Sequence, residues 1–184
     1  MVRVGNRLSR LLKQQVDRVR GTGARPDMTW EEFGDRLLRV LMTMKDRVHL
    51  SIEMPEIGDY RSISLSTEDG QLHESLITLY LQEEYRLEGD REAAMEALGW
   101  NRCPMMGDAW CTNTPLPASS TELRVVRDRF IATMRDLLRV ESPGEMVYYA
   151  LRDPEVKTPG VVRYEKGENP LLIEELGLPL MSTK

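Results

Sequence analysis

At Val48 the spacing of the apolar residues changes. Upstream, Trp30, Phe33, Leu37, Val40, Leu41, Met44 and Val48 recur every three or four positions, and the preceding Thr29-Trp-Glu-Glu32 has the form of a capping box. Downstream, Leu50, Ile52 and Met54 alternate with His49, Ser51 and Glu53. A period of 3.6 giving way to a period of 2 predicts an amphipathic helix that leads directly into a half-buried strand. The helix then has to bury its apolar stripe on the sheet that follows it.

Two more strands complete a meander. Ile63 and Leu65 face inward in the second, and Asp69-Gly70 marks the hairpin to a third that begins at Gln71 and extends to about Leu81. Residues 90–98 predict a short helix closed by Gly99. Residues 100–114 read as irregular with strand content. Ser119-Ser-Thr-Glu122 caps a long helix to about Val140, with Leu123, Val126, Phe130, Met134, Leu137 and Leu138 as its stripe. Ser142-Pro143 is expected to start another short helix carrying Met146, Val147, Tyr149 and Ala150. The fold class that follows is α+β: an antiparallel sheet, made of a three-strand meander plus one or two strands, with helices packed on one face.

Residues 1–26 are set apart by charge. They hold seven basic residues and one acid, Asp17, so this segment is +6 in a chain of net charge −5, and the remainder is −11. Val4, Leu8, Leu11, Leu12, Val16 and Val19 recur at helical intervals among the arginines, and Gly21-Thr-Gly-Ala-Arg-Pro26 ends the pattern. The predicted organisation is a basic amphipathic helical arm with its linker (1–26), an α+β domain (27–151), and an extended tail with a short helix (152–184).

Motifs for catalysis are mostly absent. Gly21-Thr-Gly23 precedes a proline instead of opening a helix after a strand, and neither a nucleophile elbow nor a His-Glu-x-x-His run occurs. Cys103, Cys111, His49 and His73 lack the spacing of a metal site, so no metal and no cofactor is expected. The two cysteines are read as small buried thiols rather than as a pair, in keeping with a cytoplasmic protein. An enzyme would need a site assembled from scattered residues such as Asp108, His49, His73 and Tyr60. The arm allows a third reading, an adaptor anchored on a membrane surface. Nucleic acid is disfavoured by the acidic body.

Partner binding has better material. Trp100 and Trp110 flank Met105-Met106 in a chain with eleven methionines, and methionine either fills irregular gaps in a core, the reading favoured for this cluster, or suits surfaces that repack around different ligands. Trp100, Met105, Met106 and Trp110, with Leu8, Leu11 and Leu12 of the arm, are the candidate contacts for a protein client or a second copy of the chain.

Three phrases carry a family resemblance: Thr29-Trp-Glu-Glu-Phe33 opening the first domain helix, Leu98-Gly-Trp100 closing a short one, and Met134-Arg-Asp-Leu-Leu-Arg-Val140 followed by Ser142-Pro143. With the order of elements, they make residues 28–151 resemble the YbjN-like and type III secretion chaperone-like superfamily, particularly its actinobacterial members. The resemblance implies a small non-enzymatic α+β domain, often dimeric, that binds a protein client on its sheet or helix surface. Members similar to secretion chaperones hold an exported partner's segment extended until handover. The expectation is a non-catalytic protein-binding module of secretion-chaperone type that holds or masks a partner polypeptide.

Overall fold

The computed structural model describes residues 27–55, 59–78, 81–103, 109–154 and 167–181. Helix α1 (Trp30–Thr43) begins where the Thr29 hydroxyl accepts the Glu32 amide at 3.1 Å, and it buries Phe33, Leu37, Val40 and Leu41. Strands β1 (Val48–Glu53), β2 (Ser62–Glu68) and β3 (Gln71–Ile77) follow as a meander in which every second residue is buried. Asp69 and Gly70 both have positive φ, 50° and 71°, as a tight two-residue hairpin requires.

Helix α2 (Asp90–Ala97) leads into β4 (Asn101–Arg102) and β5 (Ala109–Pro115), and α3 (Ser120–Ala132) starts at a complete Ser119/Glu122 capping box. Strand β6 (Val147–Arg152) comes last. The sheet order is β4-β5-β3-β2-β1-β6, antiparallel throughout. The α+β expectation holds, with three strands beyond the meander where one or two were expected.

The extra strand is β6, read above as helical. Met146, Val147 and Ala150 satisfy helical spacing, but Val147, Tyr148 and Tyr149 favour an extended backbone, and all six residues of β6 pair with β1. The third strand stops at Ile77, short of Leu81. The long helix leaves α geometry at Ala132, continues as a π-type turn over Thr133–Leu137, and ends before Arg139 at φ 57°.

The cysteine expectation is corrected. Cys103 and Cys111 form a disulfide, with Cα atoms 5.4 Å apart. The cause is local topology: Asn101 pairs with Cys111, and the Cys103 amide donates to the Ala109 carbonyl at 2.9 Å, so the β4–β5 hairpin sets the two side by side.

The core lies between the sheet and helices α1 and α3, where Phe33 meets Phe130 at 5.8 Å above Leu50, Ile52, Ile63, Leu65, Leu72 and Leu76. On the opposite face the register aligns Tyr149, Ser51, Ser64, Ser75, Cys111 and Asn101 in one row across all six strands. The centre of that face is a row of serines, with Tyr149 on β6 and the exposed Ile77 at the end of β3. Residues 167–181 return along the β6 edge: the Tyr148 amide donates to Pro179 at 3.0 Å, the Met181 amide donates to the Tyr148 carbonyl at 2.7 Å, and Leu176 is buried. Leu8, Leu11 and Leu12 of the expected arm lie outside the described residues. Among the described residues no helix is long and apolar enough to cross a membrane.

Candidate functional site

Where α1 and α3 cross, the residue on α1 is glycine. A Cβ on Gly34 would stand 2.8 Å from Ile131 Cδ1 and 3.3 Å from Arg127 Cδ, so the absence of a side chain sets how closely the two helices approach. Their close contact forms the floor of a groove of about 770 Å³ on the outer side of the helical layer. Trp30 and Gly34 of α1, Val125, Ile131 and Ala132 of α3, and Leu98 after α2 supply its apolar surface. Glu31, Asp35, Asp128, Arg127 and Arg135 supply the rim.

The side chains are positioned by neighbours beneath them. Trp30 stands edge-on to the buried Phe33 at 6.0 Å and donates from Nε1 to the Glu141 carbonyl at 3.4 Å. Arg127 bridges the rim, 2.7 Å from Asp128 and 4.0 Å from Asp35. Val125 is 53% exposed, one of few large apolar side chains left open. Arg129 reaches from the groove into the core, where its Nη1 lies 3.4 Å from the Glu74 carboxylate. The volume is within the range of ligand sites, but the groove is open and its lining mixes apolar and charged groups. Such a surface takes side chains of a polypeptide better than it encloses a small metabolite.

A second, smaller pocket of about 280 Å³ lies at Met54, Arg61, Tyr85 and Glu145. Arg61 is fixed there. It donates to Asp59 at 2.9 and 2.5 Å and to the Leu138 carbonyl at 2.9 Å, and its guanidinium lies 4.2 Å over the Tyr85 ring. With its donors committed, it is a structural clamp between the strand β2 entry and the end of the long helix.

Of the candidate contact residues, Trp100 and Trp110 are 1% and 0% exposed. Trp100 Nε1 donates to the Thr133 hydroxyl at 2.9 Å, and the Arg102 guanidinium covers the Trp110 ring at 4.2 Å. Both indoles are core residues in this conformation. Met105, Met106 and Asp108 lie outside the described residues. His49 pairs with Asp153 at 2.9 Å and His73 with Asn113 at 2.8 Å on the sheet face opposite the core, while Tyr60 is half exposed. None of these three lines either pocket described above. Among the described residues, no three His, Cys, Asp or Glu side chains converge as a metal site.

The groove residues were missed in the sequence because Val125 and Ile131 become neighbours of Trp30 only through tertiary packing. One signal was present: Gly34 interrupts an otherwise well-formed helix, which marks a close approach.

Among protein families, residues 23–152 match the model of TY-Chap3, described as T3SS (YopN, CesT) and YbjN peptide-binding chaperone 3. No curated protein and no solved structure matches the chain.

Proposed function

Since the chain belongs to the TY-Chap3 family of peptide-binding chaperones, we propose that it holds a client polypeptide by burying an apolar segment in the groove between α1 and α3. The observation that carries this reading is Val125, more than half exposed beside Trp30 and Ile131 in a groove with a charged rim. The alternative surface, the open face of the sheet, has the Ser51–Ser64–Ser75 row at its centre and its exposed apolar side chain, Ile77, at the end of β3, so its apolar area is not gathered in a groove. The rim adds specificity through Glu31, Asp35 and Arg135 rather than bulk affinity. In the finer form of this role, the client is an exported protein kept extended until handover, and the chaperone works in the cytoplasm. Trp100 and Trp110 then shape the body from within, and Met105 and Met106 are further client-contact candidates on composition alone.

The test compares wild type with Val125→Glu and with Ser64→Glu on the sheet face, each checked for unchanged circular dichroism, after mild purification from the native host. Wild type and Ser64→Glu are expected to retain a polypeptide at fixed stoichiometry, with one client segment protected from protease. Val125→Glu is expected to retain roughly tenfold less, the effect of placing a charge against apolar surface. Equal retention by all three proteins, or no retained polypeptide, would overturn the proposal.

A further inference from the structure

The basic segment ahead of Asp27 has the composition of a ligand for this groove, and it is tethered at the groove's edge. We infer that residues 3–20 of the same chain dock between α1 and α3 as an intramolecular occupant, which a client must displace. The displacement part rests on the reading of the groove as the client site; the docking itself does not.

Position comes first. Only the linker 21–26 and residues 27–29 lie between the segment and Trp30, a wall of the groove, and Met28 is 3% exposed, so the chain enters α1 from an anchored point. The linker 21–26 can span at most about 20 Å when extended. As a helix, residues 3–20 extend roughly 27 Å, against roughly 15 Å from Val125 of α3 to Arg135 in the π-type turn that continues it. The segment can therefore fold back along the whole groove.

Chemistry comes second. Leu8, Leu11, Leu12 and Val16 fall on one helical face, with spacings of three and four that suit an apolar strip bordered by charge. Arg7, Lys13 and Arg18 border that strip, and Arg10 falls on the opposite side. Glu31, Asp35 and Asp128 line the groove together with Arg127, Arg129 and Arg135, so its local charge is balanced and the apolar strip, not the rim, decides the fit. The wider field favours the same encounter, because the segment is +6 and the remainder of the chain −11. A short tether converts the encounter into a unimolecular one with an effective concentration on the order of millimolar.

Methyl NMR on the full 21.2 kDa chain tests the proposal. NOEs from the Ile131 and Val125 methyls to those of Leu8, Leu11 or Leu12 are expected, unchanged on dilution and lost in the Leu8→Asp/Leu12→Asp variant. Absence of these NOEs overturns the docking. So does their appearance only between differently labelled chains in a mixed sample, which would assign the groove to a second copy. Binding of phosphatidylglycerol vesicles that the double variant abolishes, with no NOEs in their absence, overturns it in favour of a membrane. Client retention separates the two claims: the double variant should retain several-fold more client than wild type. NOEs with unchanged retention support the docking and count against the groove as the client site.

Discussion

The carboxylate of Glu74 faces the guanidinium of Arg129 at 3.4 Å from the core side of β3, at a position where the strand's alternation calls for an apolar residue. Glu74 is 0% exposed, and neither of its oxygens accepts a hydrogen bond from the described residues. Arg129 continues outward to line the groove, and its carbonyl accepts the Thr133 hydroxyl that in turn accepts Trp100 Nε1. A polar chain thus runs from an inner strand to the proposed client surface. A buried ion pair of this kind is poor value for stability compared with an apolar pair, yet removing one partner alone is costly.

Burial pushes the Glu74 carboxyl up to about 7, with Arg129 opposing the shift. The folded protein therefore holds a proton that the unfolded chain releases near its ordinary value of 4.5. The contribution of this group to stability is fully present below that value and is lost as pH rises through about 7, a change on the order of 3 kcal/mol. Urea midpoints measured across this window should show the decline, and Glu74→Gln should flatten it. Arg129→Met removes the opposing charge, so it should destabilise more at about pH 8 than at about pH 5, where Glu74 is protonated. A pH-independent penalty for Arg129→Met would refute the assignment.

Elements specified by neighbouring residues were legible in the sequence. The Thr29 cap, the Asp69-Gly70 hairpin and the Ser119/Glu122 capping box each act over three or four positions, and each is present as read. What escaped depends on distant partners. Tyr148 is in a strand because Ile52 lies opposite it, and nothing near Ser142-Pro143 announces that pairing. Composition leaves Trp100 and Trp110 open between core and contact surface, and the packing of Thr133 and Arg102 against them shows that they are enclosed. The cysteines needed the β4–β5 hairpin, whose two-residue strand is too short to leave a periodic signal.

At the helix crossing, Gly34→Ala gains about 1 kcal/mol of helix propensity but directs a methyl at Ile131 Cδ1. The obstructing atom is the far end of a flexible side chain, so the net change should stay within about 1 kcal/mol. Gly34→Val has no such escape and should cost roughly 1–3 kcal/mol, since its branched Cβ forces α1 and α3 apart. Combining Gly34→Ala with Ile131→Val should make the alanine variant more tolerable, an interaction that a double-mutant cycle in urea would reveal. Simple additivity would mean that the crossing is looser than the 2.8 Å approach implies.

Reduction of the Cys103–Cys111 bond tests how much the sheet edge depends on its staple. The two cysteines are eight positions apart, and releasing so short a loop should cost about 2–3 kcal/mol on chain entropy alone. For a domain of this size that corresponds to a fall of roughly 5–10 °C in thermal midpoint on adding reductant. Cys111→Ser should start at the lower midpoint and show no response. Neither cysteine lines the α1–α3 groove, so client retention should survive reduction as long as the protein stays folded. Client binding would then be independent of the bond, and β4, paired with β5 through only Asn101 and Arg102, would be the element that loosens. If retention fell together with the midpoint while the fold persisted, the β4–β5 edge would have to be part of the client surface.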